Sequence, residues 1–278
     1  MVKTYSSLPG DERQETVRCP CCGGERSRPA LACDSLRFVR CRGCGVVYQN
    51  PRPVFEDLRD RYGEEYFSYE LANEAGFFSL MRMGLRDIRF QELEPPRPRR
   101  FLDVGCATGM LIESMKKEGW DVLGVDICRP SAEYGKRHRG VDIIAGTLTE
   151  AALPAGSCGV VHFSHLIEHL PDPRAFLAEV RRVLAPGGYA VITTPNVDGF
   201  QARLFGSGWR SAIADHLVLF SRRTLGRLLE GSGFTVKRTV TWGGLAKGTA
   251  PDIIKRPADR LAKRLGWGDV VMVLVEKA

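Results

Sequence analysis

The sequence has no apolar run long enough to cross a membrane, and residues 1–10 lack the apolar core of a secretory signal. It also contains no internal repeat and no low-complexity tract. Nine cysteines without an export signal suit a reducing compartment, because disulfide-stapled chains are normally secreted. We therefore predict a cytoplasmic protein without a membrane span.

The length of 278 residues is enough for one full α/β domain and a small additional module. We predict a cysteine-rich module and linker over residues 1–53, a helical segment over 54–98 and the α/β domain over 99–278. In the last segment apolar strands alternate with helices, which is typical of a doubly wound, mostly parallel sheet. Seven strands are expected, near residues 101–104, 122–126, 141–148, 158–164, 189–194, 234–241 and 270–275.

Residues 101–109 predict a strand that ends on an acid and runs into a glycine turn. Asp103 lies at the C-terminal edge of this strand, and Gly105 and Gly109 let the turn pass close to a ligand. Asp126 follows 23 residues later, where a βαβ unit places an acid against the hydroxyls of a ribose. The glycines do not form the G-x-G-x-x-G pattern that binds a pyrophosphate, which favours a phosphate-free, positively charged cofactor.

These residues resemble the class I S-adenosylmethionine-dependent methyltransferases, and the resemblance extends over residues 99–278. It implies a Rossmann-like methyltransferase fold whose last strand is antiparallel. It also implies that the glycine loop holds the amino acid end of S-adenosylmethionine, the second acid the ribose and the third strand's exit the adenine. The cofactor-binding residues that it implies are Asp103, Gly105, Cys106, Ala107, Gly109, Asp126, Ile127, Thr147, Leu148 and His165.

Two C-x-x-C pairs in the first fifty residues have the spacing of a four-thiolate zinc site. We predict a zinc ribbon in which Cys19, Cys22, Cys41 and Cys44 hold a structural zinc ion. A redox pair is the alternative, but it would occur once and precede a helix. Cys21 could replace its neighbour as a ligand, although the C-x-x-C turn is the commoner choice.

The helical segment contains four aromatic side chains that could cover a ligand. In the methyltransferase family a segment in this position forms a lid over the cofactor, so we expect a helical lid. Simple packing of each ring is an equally good interpretation. These residues are Tyr62, Tyr66, Phe67 and Tyr69.

The sequence lacks the Asn-Pro-Pro-Tyr motif of amino-methylating relatives and the Pro-Cys of cytosine C5 methylation in its sheet loops. An oxygen acceptor on a small molecule or a sugar, in a polysaccharide or secondary-metabolite pathway, is therefore favoured, with carbon or nitrogen left open. We predict that His216, beside Asp215, takes the acceptor's proton, with His165 as second candidate. A purely structural role for His216 is the alternative. Asn196 and Trp209 are expected pocket walls.

The string His165-x-x-Glu168-His169 matches the H-x-x-E-H of certain zinc proteases. Its predicted place at a strand exit, rather than within a helix, excludes that function. A related Glu-x-x-Glu-His accompanies a divalent metal in ubiquinone-biosynthesis O-methyltransferases and in one terminal RNA methyltransferase family. Because histidine replaces the first glutamate here, we predict that His165 faces the cofactor while Glu168 and His169 cap and pack the next helix. A divalent cation at this cluster is the alternative.

The net charge of +7 comes from 40 basic and 33 acidic residues. Basic clusters at residues 97–100, 136–139 and 255–264 raise nucleic acid as a partner. They are short and lack interleaved aromatics for base stacking, so solvated surfaces are favoured. An RNA methyltransferase is therefore the second hypothesis. A non-catalytic docking protein is the third hypothesis. It predicts loss of the cofactor acids, and Asp103 and Asp126 are both present.

Overall fold

The N-terminal module is a small antiparallel sheet with two cysteine turns. This computed structural model describes residues 12–33, 36–243, 257, 262–263 and 265–278. β2, β3 and β4 pair in antiparallel order, and β5 returns to pair with β1. The expected ribbon-like arrangement is present. Its strands are β1 (Gln14–Glu15), β2 (Ser27–Cys33), β3 (Leu36–Cys41), β4 (Val47–Gln49) and β5 (Arg52–Pro53).

The segment after the ribbon is helical, as predicted. It comprises α1 (Phe55–Arg59), α2 (Glu64–Asp87) and a short 3-10 turn (Phe90–Glu92). Two glutamates in the first turn of α2 favour its start through the helix dipole. Within the described residues, no helix is both long and apolar enough to traverse a bilayer.

A seven-stranded sheet with flanking helices forms the rest of the chain. The strands are β6 (Arg100–Val104), β7 (Asp121–Asp126), β8 (Ile143–Ala145), β9 (Cys158–Ser164), β10 (Leu184–Pro195), β12 (Phe234–Trp242) and β13 (Val270–Lys277), while β11 (Val218–Leu219) lies outside this sheet. The helices are α3 (Met110–Lys117), α4 (Arg129–Arg139), α5 (Pro173–Val183), α6 (Phe200–Phe205) and α7 (Arg222–Gly231).

The strands are ordered β12-β13-β10-β9-β6-β7-β8, and β13 alone runs antiparallel to its neighbours. β7 and β8 lie on one side of β6, and β9 and the later strands lie on the other. Because the strand order reverses here, a crevice opens at the C-terminal ends of β6 and β9. Separate apolar clusters cover the two faces of the sheet. The predicted doubly wound fold with an antiparallel last strand is confirmed.

Two element boundaries differ from the sequence prediction. The third strand, expected over residues 141–148, is limited to β8 because Gly146 turns the chain with a φ of 149°. The helix before β10 ends at Val183, and β10 begins at Leu184 with an irregular register before Tyr189. Gly187, with a φ of 69°, lies within that irregularity.

One strand of the 99–278 segment belongs to the ribbon sheet. β11 pairs antiparallel with β4, giving the sheet order β11-β4-β3-β2. Leu217 extends this contact, because its carbonyl accepts from Gln49 N at 2.9 Å. One apolar cluster contains Tyr48 of the ribbon together with Val218 and Phe220. The 99–278 segment therefore contributes one strand to the ribbon sheet, and the two sheets share an apolar core.

Candidate active site

A glycine turn joins β6 to α3 at the C-terminal edge of the sheet. Gly105, Ala107 and Gly109 take left-handed backbone angles, with φ of 72°, 49° and 79°. Gly105 N donates to Val125 O at 2.8 Å, which holds the turn against β7. A Cβ at Gly109 would lie 3.0 Å from side-chain atoms of Ile143 and Val141, which is closer than an ordinary contact, so both the space and the φ favour glycine there. The predicted turn forms beside the end of β7, where the second acid lies.

The carboxylate of Asp126 binds two backbone amides of neighbouring turns. Oδ2 accepts from Ala107 N at 2.7 Å, and Oδ1 accepts from Cys128 N at 2.8 Å. Burial raises the pKa of Asp126 to about 6, although the two amide hydrogen bonds act in the opposite direction. Each oxygen keeps acceptor capacity for a ribose hydroxyl.

A cavity of about 320 Å³ opens beside the end of β7. Its lining includes Tyr62, Ile127 and Gly146. Of the predicted cofactor-binding residues, Ile127 lines this cavity, and Thr147, one of the two residues predicted at the adenine, follows its lining residue Gly146. Leu148 is buried in the apolar core instead. The structure therefore brings Ile127 to the cavity, whereas Leu148 packs in the apolar core.

Asp103 is paired with a histidine that the sequence analysis did not single out. His162 of β9 donates from Nδ1 to Asp103 Oδ1 at 2.7 Å, and both residues are buried. The imidazole stacks on Phe101, with ring centroids 5.9 Å apart. The available signal was a polar residue within the otherwise apolar run of β9. Cys106, also predicted at the cofactor, is buried among apolar side chains.

Helix α2 brings two acids to the residues that follow β6 and β7. Glu70 accepts from Ser131 at 2.8 Å, and its burial together with the charge of Asp126 raises its pKa to about 8. Glu74 accepts from Thr108 of the glycine turn at 2.8 Å. These acids were missed, although their spacing of four residues places them on one helix face.

The predicted lid aromatics have different surroundings. Tyr62 lines the 320 Å³ cavity and contacts the ring of Tyr66, with centroids 4.8 Å apart. Phe67 packs on Tyr134 at 5.6 Å. Tyr69 packs against another ring of α2 at 5.9 Å. One of the four rings therefore borders the cavity, and the other three pack.

His165 lies at the exit of β9 beside the glycine turn. It has a left-handed backbone with a φ of 52°, and its half-exposed side chain donates from Nδ1 to Glu168 Oε1 at 3.1 Å. The next residue, Leu166, lies 3.4 Å from the position of a Cβ on Gly105. Glu168 is fully buried and also accepts from Thr194 at 2.9 Å. A carboxylate-oriented imidazole therefore stands next to the cofactor loop.

His216 joins this cluster from the loop after α6. One ligand atom each of Glu168, His169 and His216 lie within 4.8 Å of one another. His216 Nδ1 donates to a carbonyl of its own loop at 2.8 Å, which leaves Nε2 as an acceptor. Burial lowers the pKa of His216 to about 3, so the ring is neutral at pH 7. Asp215 forms an ion pair with Arg61 rather than a bond to the histidine.

Glu168 carries the negative charge of the cluster. Burial acts to raise its pKa, but the interaction with His165, above all the hydrogen bond from that ring, lowers it to about 2. Burial also lowers the pKa of His169, whose Nδ1 lies 3.5 Å from the hydroxyl of Tyr62. One carboxylate and two neutral imidazoles form a donor set that could hold a divalent cation.

The two expected pocket walls have structural contacts. Asn196 is fully buried, and its side-chain amide donates to Gly268 O at 2.8 Å. The indole of Trp209 donates to Asp269 at 2.7 Å. Both side chains join the loop after β10 to the start of β13, so their contacts differ from those expected of an acceptor pocket.

The four cysteines predicted to bind zinc lie close together in the ribbon. Sγ of Cys19 lies 3.5 Å from that of Cys44, Sγ of Cys22 lies 3.6 Å from that of Cys41, and all four lie within 4.8 Å. The hydrogen bond from Cys19 lowers the pKa of Cys44 to about 5, which favours a thiolate. Cys21 is outside this group, and burial raises its pKa. The cluster could hold one tetrahedral zinc ion.

Comparison with known proteins agrees with this geometry. A family described as "Methyltransferase domain" matches residues 79–239, more than half of the chain. The ubiquinone biosynthesis O-methyltransferase of Psychrobacter cryohalolentis is 35% identical over 106 residues, covering 35% of this chain and 41% of the relative. The enzyme of the same name from Escherichia coli O9:H4 is 33% identical over 128 residues, covering 43% and 50%. The chain spans half or less of these curated relatives.

Solved structures share the fold. An S-adenosylmethionine-dependent methyltransferase from Archaeoglobus fulgidus is 23% identical with a TM-score of 0.55, covering 77% of this chain and 100% of the other. Geranyl diphosphate C-methyltransferase from Streptomyces coelicolor is 16% identical with a TM-score of 0.51, covering 71% and 77%. With the glycine turn, the two acids and the sheet order, the family match identifies the chain: it belongs to the methyltransferase domain family and has the fold of an S-adenosylmethionine-dependent methyltransferase.

Proposed function

We propose that the protein transfers a methyl group from S-adenosylmethionine to an oxygen of a small-molecule or glycosyl acceptor. The observation that carries this proposal is the pair of His165 and Glu168 at the exit of β9, directly beside the glycine turn. The name of the curated relatives supports oxygen as the accepting atom. The sugar or secondary-metabolite character of the acceptor rests on the sequence alone.

The proposed chemistry needs little beyond positioning and a proton acceptor, because the methyl sulfonium is already electrophilic. Asp126 binds the ribose, and Asp103 faces the amino acid end of the cofactor. As the methyl group moves from sulfur to the acceptor oxygen, the hydroxyl proton moves to Nε2 of His165. Glu168 fixes the tautomer, because its oxygen accepts from Nδ1 of the same ring.

His216, the base predicted from the sequence, has a different role in this proposal. Its pKa of about 3 makes it a weak proton acceptor but a ready neutral ligand. Glu168, His169 and His216 would together hold a divalent cation. Such a cation, when bound, would lower the pKa of the acceptor hydroxyl.

We further propose a structural zinc ion held by the four clustered ribbon thiols. Four thiolates at this separation are the donor set of closed zinc sites, which contribute folding free energy. Thiolate-held zinc is compatible with the cytoplasmic location predicted from the sequence.

The test measures S-adenosylhomocysteine release with phenol, catechol and sugar acceptors, with and without added Mg²⁺. His165→Asn should lower the rate by about 10²- to 10⁴-fold while S-adenosylmethionine binding is kept. His138→Asn is the matched control, because His138 is an exposed histidine on α4. An unchanged rate in His165→Asn would refute the proposed base. The cation role would be supported if His216→Asn were slower than the wild type with Mg²⁺ present and equally fast without added metal.

The alternative of an RNA methyltransferase has less support among the described residues. In the first basic cluster Arg100 is neutralised by Asp121 at 2.6 Å. In the second, Arg139 is bound by Glu74 and Glu113 at 2.6 and 2.8 Å. Most of the third, residues 255–264, lies outside the described residues. A non-catalytic docking protein is the third alternative. It would be favoured if the protein methylated none of the acceptors tested.

A further inference from the structure

A second cavity, of about 790 Å³, lies between the first cysteine turn of the ribbon and the outer side of α5. Its lining comes from the ribbon, from the start and length of α5 and from the end of α7. Four arginines line it, from three separate parts of the chain, against one acidic residue. They are Arg18, Arg52, Arg174 and Arg181, and the acid is Asp172.

Two of these guanidinium groups have no carboxylate partner among the described residues. Arg18 pairs with Glu25, and Arg52 pairs with Glu15. Arg181, in contrast, pairs with no carboxylate side chain among the described residues and donates only to the main-chain oxygens of Gly233 and Ala278, both at 3.4 Å. Arg174 forms no side-chain ion pair within the described ranges. The cavity therefore presents positive charge that its own acids leave uncompensated.

The single acid of the lining is already engaged. Asp172 Oδ1 accepts from the backbone amides of Arg174 and Ala175, so it caps the first turn of α5. It is therefore held at the helix terminus and does not neutralise the guanidinium groups of Arg174 and Arg181. A guanidinium group matches the oxygens of a phosphate with two parallel hydrogen bonds.

We propose that this cavity binds a phosphate or diphosphate group carried by the acceptor. The volume is within the range of small-molecule sites and exceeds that of a bare anion, so an attached organic group also fits. None of the lining residues is aromatic, which removes the stacking surface that single-stranded nucleic acids use. A small phosphate-bearing acceptor is therefore favoured over RNA.

The position of the cavity relates it to the proposed reaction site. Pro171 lines the cavity, and it follows His169 by two residues, so their Cα atoms are at most about 7 Å apart. Arg52 fixes this connection, because its guanidinium donates to Pro171 O at 2.8 Å. An acceptor anchored by phosphate in the cavity would extend its hydroxyl toward His165. This part of the inference rests on the proposed function.

The experiment is calorimetric titration of the full chain with inorganic pyrophosphate and with uridine diphosphate, at low and at physiological salt. Arg174→Gln and Arg181→Gln should each weaken pyrophosphate binding by about tenfold, since each removes a charge-assisted contact. Arg137→Gln on α4 is the charge-matched control and should leave affinity unchanged. S-adenosylmethionine binding should be unchanged in all three variants.

Equal pyrophosphate affinity in wild type, Arg174→Gln and Arg181→Gln would overturn the proposal. It would also be overturned if pyrophosphate did not bind while an RNA oligonucleotide bound through the same two arginines, because the ligand would then be a polynucleotide. Arginine-dependent pyrophosphate binding by a protein that methylates no acceptor would keep this inference and refute the proposed function instead.

Discussion

Replacing Asp126 with asparagine separates cofactor binding from folding. The carboxylate accepts two backbone amides, at 2.7 and 2.8 Å, and asparagine can accept only one of them. The lost charge-assisted hydrogen bond should cost about 2 kcal/mol of folding free energy. Taken alone, this effect predicts a clearly destabilised protein.

The buried charge acts in the opposite direction, and the size of its effect is already net of the two amide hydrogen bonds. The pKa of Asp126 is raised by burial from its ordinary 3.8 to about 6. At pH 7 the ionised side chain therefore reduces the stability of the native state by about 3 kcal/mol, which the neutral asparagine avoids. Because the carboxyl pKa is higher in the folded state, the protonated side chain stabilises the native state fully below pH 3.8. This stabilisation is lost as the pH rises through 6. The pKa of about 6 already includes both amide hydrogen bonds, so Asp126→Asn should match the unfolding free energy of the wild type near pH 4, where both side chains are neutral, and should exceed it by up to about 3 kcal/mol at pH 7.

Cofactor affinity should respond differently, because asparagine presents one acceptor oxygen and no charge to the ribose. We expect S-adenosylmethionine to bind roughly 10- to 100-fold more weakly in calorimetric titration. Asp121→Asn is the matched control: it removes an exposed acid at the opposite end of the same strand, where Asp121 pairs with Arg100. Wild-type affinity in Asp126→Asn, with urea denaturation showing a folded protein, would refute the assignment of this ribose site.

Other predictions concern the turn and the ribbon. Gly109→Ala should lower the unfolding free energy by about 3 kcal/mol. The control Gly119→Ala should cost only about 1 kcal/mol, because φ is also positive there but no atom lies within 4 Å of the new Cβ. Equal losses in urea denaturation would refute the packing argument. Cys22→Ser should lose zinc by metal analysis while Cys21→Ser keeps it, and the reverse would exchange their roles. Zinc chelation should speed amide exchange over residues 47–49 and 217–219, measured by mass spectrometry; unchanged exchange after zinc loss would contradict it.

Much of the fold could be predicted from local pattern. The apolar run before Asp103, the glycines after it and the acid at Asp126 determine a strand, a turn and a second strand through short-range geometry. The paired cysteines likewise indicate their cluster by spacing alone. These predictions succeed because the interacting residues are close in sequence or repeat a known period.

The parts that escaped prediction depend on distant partners. His162 becomes a partner of Asp103 only because β9 lies next to β6, which the strand order determines and the sequence spacing does not. Glu70 likewise acquires its raised pKa from burial and from the charge of Asp126, an acid 56 residues away in the sequence. Such pairs follow from tertiary packing, and a single sequence carries no separate signal for them.

The pairing of β11 with β4 limits how this chain can be shortened or recombined. A protein that began after residue 53 would leave β11 as an edge without a neighbour and would expose the apolar surface that Tyr48 covers. Leu217, which precedes β11, also donates to the carbonyl of Glu168 at 2.8 Å, so the unpaired edge would adjoin the cluster of Glu168, His169 and His216. A ribbon transferred from another methyltransferase would therefore need a strand in the place of β4 that pairs with β11. The ribbon cannot be exchanged as an independent module.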